Sequence, residues 1–362
     1  MRASRREAAP GTVAVPAGPG KLRLVQLFAG LGALLAAGGV ASLALGVVDV
    51  APGAVLRIVL HHLGLGAGDG FTAQQEAVVW SIRLPRLLLG AVVGAGLGAA
   101  GAALQGVFRN PLADPQLVGV AGGAAFGATA AIASAGGLLG SLAGPLGGLL
   151  GGLAAGAVVY SLARHQGRTE VVTMVLAGLA VAAVGLAGAA LLGFAVDRPE
   201  LHSAVFWSLG SISVATWRLV GVTAPFVLVA VVLLPFFARP LDLMLLGDRE
   251  AHHLGVSVEW VRAGALGLAV LATAAAVSAV GVIGFVGLLA PHAVRVAAGP
   301  GHRVVLPGAA LAGAGLVVLA DLAARSLHPP LEVPVGLITA VVGGPVFLWL
   351  LRRTRTQHGG WG

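Results

Sequence analysis

Arg83 and Arg86, in the stretch Arg83-Leu-Pro-Arg86, stand three residues apart at the head of an apolar run. Arg325 stands at the end of another, with Asp321 four residues before it. These spacings bring side chains to one helical face. Guanidinium groups so placed can reach toward water at a membrane surface and pair locally, Arg325 with Asp321. They can equally form a basic surface for an acidic protein. Spacing alone favours the first use. The histidines offer less chemistry. His61-His62 and His252-His253 are adjacent pairs, whose side chains point apart on a helix and make no metal site alone. His292, after Pro291, reads as a polar residue near an interface rather than as a ligand. The chain has no cysteine, which excludes disulfides, thiolate metal centres and cysteine nucleophiles. Its single lysine, Lys21, is followed by Leu22, and no Gly-x-x-x-x-Gly-Lys-Ser/Thr loop exists to hold a nucleotide.

Such residues need elements to position them, and composition says which. Apolar residues make up 57% of the 362, charged ones 10%, and there are 57 glycines. That is too little charge to cover a soluble protein of this length. Runs with little or no charge fall at 24–48, 87–107, 116–135, 139–162, 171–195, 219–238, 263–281, 284–294, 304–320 and 335–351. Most approach the 20 residues that a helix needs to cross a bilayer. The chain therefore reads as an all-α polytopic membrane protein of about ten spans. Residues 1–23 form a basic cytoplasmic tail, 24–353 the transmembrane domain and 354–362 a cytoplasmic C-terminal tail. With the N-terminus inside, ten crossings put sixteen of the 22 basic residues on the cytoplasmic side. The net charge of +8 marks inner loops rather than nucleic-acid binding. Gly90, Gly94 and Gly98 line one face, where small residues let helices approach closely. Gly96-Leu-Gly-Ala-Ala-Gly101 matches a dinucleotide fingerprint by letter, but it lies inside a hydrophobic helix.

Two stretches are more distinctive. In Gln105-Gly-Val-Phe-Arg-Asn-Pro-Leu-Ala-Asp-Pro115, prolines 111 and 115 stop the helix, and Asp114 is placed to cap the next one with Pro115 first. The loop 239–262 carries Leu243, Leu246, Leu254 and Val258 among charges, and Gly247 and Gly255 break it around short helices. Taken alone, this loop is an amphipathic segment lying on the membrane.

Together with Gly281-Val-Ile-Gly-Phe-Val-Gly-Leu-Leu-Ala-Pro-His-Ala-Val-Arg295, these stretches resemble the permease subunits of type II ABC importers for iron chelates or cobalamin, the FecCD-like family. The likeness runs from about residue 24 to 353. It implies the type II permease fold, a homodimer with the pathway at its interface, two ATPase subunits inside and a substrate-binding protein outside. By the same resemblance, Arg83, Arg86 and Arg325 receive glutamates of the binding protein's two lobes. Leu246, Gly247, Asp248, Ala251, Leu254 and Gly255 match the coupling element that docks on the ATPase, and Asn110 and Leu112 match a cytoplasmic gate. Asn110 has the alternative of merely capping a turn. The family's second gate strand corresponds to Val171-Val172 here, without its polarity. ATP and Mg belong to the partner ATPase, and no cofactor is expected on this chain. The expected location is the bacterial plasma membrane.

The spans hold almost no acids beyond Asp321, and no Ser/His pairing or aspartate-rich motif, so an intramembrane enzyme is disfavoured. An ion-coupled secondary transporter is the rival of a different class, but it would place carboxylates or histidines midway through spans. Glu76-Ala-Val-Val-Trp-Ser-Ile-Arg83 and the C-terminal Leu350–Trp361 resemble haem-type permeases. Haem is therefore the favoured cargo, with a ferric siderophore or cobalamin as alternatives.

Overall fold

The computed structural model describes residues 20–46, 48–66, 69–195, 209–327 and 331–357, without the side chains of 135–137 and 353–357. Residues 1–19 of the basic tail, and 358–362 at the other end, lie outside the described residues. Among the described residues, twelve helices follow in order: α1 (Lys21–Ala44), α2 (Pro52–His62), α3 (Ala73–Val107), α4 (Val120–Leu139), α5 (Ala143–Ala163), α6 (Val171–Ala195), α7 (Trp217–Met244), α8 (Asp248–His253), α9 (Val258–Val280), α10 (Val286–Ala298), α11 (His302–Ser326) and α12 (Val335–Gln357). Among the described residues, eight helices are long and apolar enough to cross a membrane. The shorter apolar helices α4 and α10 bring the number of membrane elements to the expected ten. The two-residue strands β1 (Arg164–His165) and β2 (Arg168–Thr169) form an antiparallel hairpin between α5 and α6, pairing Arg164 with Thr169.

Helices α3, α9 and α11 form the buried centre, while α1, α6 and α12 leave most of their surface uncovered. Glycine explains the close approach of α3 to α11. A Cβ on Gly94 or Gly98 would overlap the carbonyl oxygen of Gly313 or Ala309, so α3 and α11 touch backbone to backbone. Gly90 meets the Ile212 side chain at ordinary distance instead.

Three details depart from the sequence expectation. Helix α2 occupies the loop between α1 and α3; Pro52 starts it, and its buried Ala54, Val55 and Ile58 pack near Val79. Asp114 does not cap the next membrane helix directly. Its Oδ1 accepts from the Gln116 amide (2.9 Å) and starts a 3-10 turn, Pro115–Val118, which Gly119 (φ 78°) ends before α4 begins. Val171 and Val172, matched to a gate strand, open the helix α6. The strands lie just before it.

Candidate functional site

The polar groups gather at the two ends of the helix bundle. At the expected outer end, α1 finishes with carbonyls that no helical amide can satisfy. Arg83, on a π-helical turn of α3, donates to the Leu43, Ala44 and Val48 carbonyls at 2.7, 3.0 and 2.5 Å. Arg325 of α11 donates to the Leu45 carbonyl (3.2 Å), to the Ser42 carbonyl and to Ser42 Oγ (2.9 Å). Two cations thus cap the negative end of one helix dipole. Arg86 clamps Asp321 through Nε (2.9 and 3.0 Å) and Nη2 (2.8 Å), and holds both Glu332 oxygens through Nη1 at 2.9 Å.

The arginines turn into the chain rather than outward. Arg83 and Arg86 do not present an exposed basic surface: they are only 5% and 7% accessible, and all three arginines are engaged within the chain. The reason is electrostatic. Unsatisfied carbonyls and two carboxylates lie within reach, and a guanidinium in an apolar phase takes the nearest acceptors. Arg325 stands 3.8 Å from Asp321, so the local pair is present but loose. Glu332 was missed, because it lies 246 residues from Arg86 and no spacing rule reaches that far.

Nearby on the same side, His62 stacks on Trp80 with ring centres 3.9 Å apart. Its Nδ1 faces the Ile58 carbonyl (3.1 Å) and its Nε2 lies 3.4 Å from Glu76. Among the described residues, no three His, Asp or Glu side chains converge as a metal site would require.

At the other end, α3 closes with Arg109 in the left-handed conformation (φ 50°). The Arg109 and Asn110 amides bond back to the Gly106 and Gln105 carbonyls (3.2 and 3.1 Å), the pattern that glycine usually completes. Asn110 Oδ1 accepts from the Leu112 amide (2.9 Å), so in this structure Asn110 builds the turn. Leu112 is half-buried. Burial pushes the Asp114 carboxyl up to about 6, against the opposing effect of the Gln116 amide. Gln105, buried on α3, donates to the Ala113 and Gly287 carbonyls (3.2 and 3.3 Å) and accepts from Arg295 of α10. It thereby ties this turn to α10.

Helix α8 follows α7 directly. Gly247 (φ 123°) opens it and Gly255 (φ 83°) ends it. The Gly255 and Val256 amides bond to the His252 and Ala251 carbonyls (2.9 and 3.0 Å). Ala251 is fully buried, whereas Leu246 and Leu254 are 63% and 59% exposed. The candidate coupling residues therefore make up a short, glycine-bounded helix and its two flanks, with Ala251 packed beneath and Leu246 and Leu254 exposed on either side. Asp248 binds Arg109 (2.5 Å) and Arg262 of α9 (3.2 Å). Arg262 also reaches Glu259 (2.6 Å), which holds Thr169 at the end of β2. On the flank, His302 of α11 places Nδ1 2.6 Å from Asp242 of α7, and Gly106 leaves room for its Nε2.

A bundle of about ten membrane helices, with arginine–carboxylate clusters at both ends, defines a multi-pass membrane protein. The FecCD transport family matches residues 34–353, and this chain belongs to that family. It is 42% identical over 286 residues to the hemin transport system permease of Yersinia pestis, covering 78% of this chain and 85% of that one. A cobalamin import system permease of Halobacterium salinarum is 39% identical over 284 residues, covering 78% and 75%. The Fe(3+) dicitrate permease of Escherichia coli is 42% identical over 280 residues, covering 77% and 86%. A solved chain described as an inward-facing metal-chelate type ABC transporter superposes with a TM-score of 0.77 at 32% identity, covering 90% and 98%. The relatives are permease subunits, not ATPases.

Proposed function

We propose that this chain is the permease subunit of an ATP-driven importer whose cargo is haem. Two copies would form the pathway between them, with a substrate-binding protein on the arginine-clustered face and two ATPase subunits against α8. ATP and Mg would be held by those subunits. The membrane would be the bacterial plasma membrane, with both termini cytoplasmic. The observation that carries the reading is α8, a short helix with a packed base, flanked by the exposed Leu246 and Leu254, which suits a groove on a cytoplasmic partner. ATP-driven movement of α8 would then switch access through the Arg109–Leu112 turn and its neighbours, with Asn110 and Leu112 at the gate.

Docking of an acidic protein on Arg83, Arg86 and Arg325 requires an exchange. Glu332 is the half-exposed acceptor on Arg86, and a partner's carboxylate would displace it. Such binding weakens as salt rises. A ferric chelate is the second reading, because the dicitrate permease is as similar to this chain as the hemin one. The test is haemin accumulation in proteoliposomes containing the permease and its ATPase, with the binding protein on the opposite face. Haemin uptake only with ATP supports the proposal. Uptake of a ferric hydroxamate alone would replace haem, and uptake driven by a proton gradient without ATP would remove the importer class.

A further inference from the structure

We propose that Arg262 is the positioning residue that makes α8, the end of α3 and the β1–β2 hairpin move as one body. The proposal rests on the coupling role given above to α8, and assigns the route by which that helix reaches the inner loops. Arg262 is 2% exposed on the first turns of α9, so its charge has little water to stabilise it. Its Nη2 points to both Asp248 oxygens (3.3 and 3.2 Å), on the first residue of α8. Its Nη1 points to Glu259 (2.6 Å) and to the Thr169 carbonyl (3.4 Å).

Each arm continues. Asp248 passes to Arg109 (2.5 Å), the left-handed residue that ends α3 beside Asn110. Glu259 takes the Thr169 hydroxyl (2.6 Å) and amide (3.3 Å), so Thr169 is gripped at three atoms. Arg109, Asp248, Arg262 and Glu259 thus alternate in sign and sum to zero charge. Displacing α8 alone would strip Asp248 from Arg262 and leave a buried cation half-paired. Carrying α3's terminal turn and the hairpin along keeps every pair intact. The cheaper motion is the concerted one. Lysine could hold only one of these arms, because it lacks the planar fork.

The chain has no native cysteine, so His165→Cys and His252→Cys place the only two thiols on the hairpin and on α8. With spin labels at these sites, and labelled chains diluted into excess unlabelled permease so that only pairs within one protomer are read, the full-length permease in nanodiscs should give one narrow distance distribution. Glu259→Gln and Arg262→Lys should each broaden it. In proteoliposomes of the permease–ATPase complex, the same two substitutions should lower haemin uptake per ATP hydrolysed by roughly tenfold, with assembled complex recovered in normal amount. An unchanged distance distribution in both variants would overturn the proposal. So would a fall in uptake strictly proportional to ATP hydrolysis or to recovered complex, which a purely structural role predicts. If the unsubstituted complex takes up no haemin, the cargo assignment fails, and the distance measurement, which needs neither cargo nor ATP, still decides the linkage.

Discussion

Arg86 binds two carboxylates that enter the chain 235 and 246 residues after it. Removing it would leave Asp321, buried on α11, with only the looser Arg325 contact at 3.8 Å among the described residues. Arg86→Leu should therefore lower stability by about 3–5 kcal/mol, with Arg86→Lys losing less, as thermal unfolding of the purified permease would measure. Asp114 behaves oppositely. Its carboxyl is pushed up to about 6, whereas an unfolded chain releases that proton near the ordinary aspartate value of 3.8. The ionised form thus destabilises the fold fully above about pH 6 and not at all below about pH 4. Asp114→Asn keeps the capping oxygen. It should raise the melting temperature at pH 7.5, with a gain that shrinks steadily toward pH 4.5.

Between α3 and α11, the backbones meet without side chains in between. Gly98→Ala should push a methyl group into the Ala309 carbonyl and cost about 1–3 kcal/mol, measured as a drop in melting temperature. The same substitution at Gly193, where a Cβ would meet nothing, should change little. Much at this scale was legible in the sequence. Gaps between charges gave the ten membrane elements, and the four-residue glycine spacing gave the close face of α3, because both are local patterns. Gly247 and Gly255 were legible as breaks, since left-handed backbone selects glycine. Helix α2 was not, because Arg57 and two histidines interrupt a short apolar pattern. The left-handed turn just before α10 was hidden too: Phe285 takes φ 65°, a conformation its side chain does not advertise. The site residues divide the same way. The three arginines and the α8 loop could be named, but their partners Ser42, Glu332 and Thr169 lie across the fold, where no periodicity points.

Ten crossings are an even number, so the whole molecule should present both ends of its chain on one face. Single cysteines introduced as Ala3→Cys and Gly360→Cys should react with a membrane-impermeant maleimide only after cells are permeabilised, whereas His61→Cys in the first outer loop should react in intact cells. Reaction of only one terminal site before permeabilisation would require an odd count and would remove one of the short elements, α4 or α10, from the bilayer.

The arginine caps on α1 also set an order of assembly. Arg83 follows the carbonyl of Leu43 by 40 residues, but Arg325 follows Ser42 by 283. At synthesis rates of roughly 5–20 residues per second, the second cap emerges about 15–55 s after the helix end it covers. Through that interval the first span stands in the bilayer with only half of its outer end satisfied. A ribosome that stalls before α11 leaves a nascent chain whose earliest helix is its least finished one, open to the quality-control proteases that survey unassembled membrane segments.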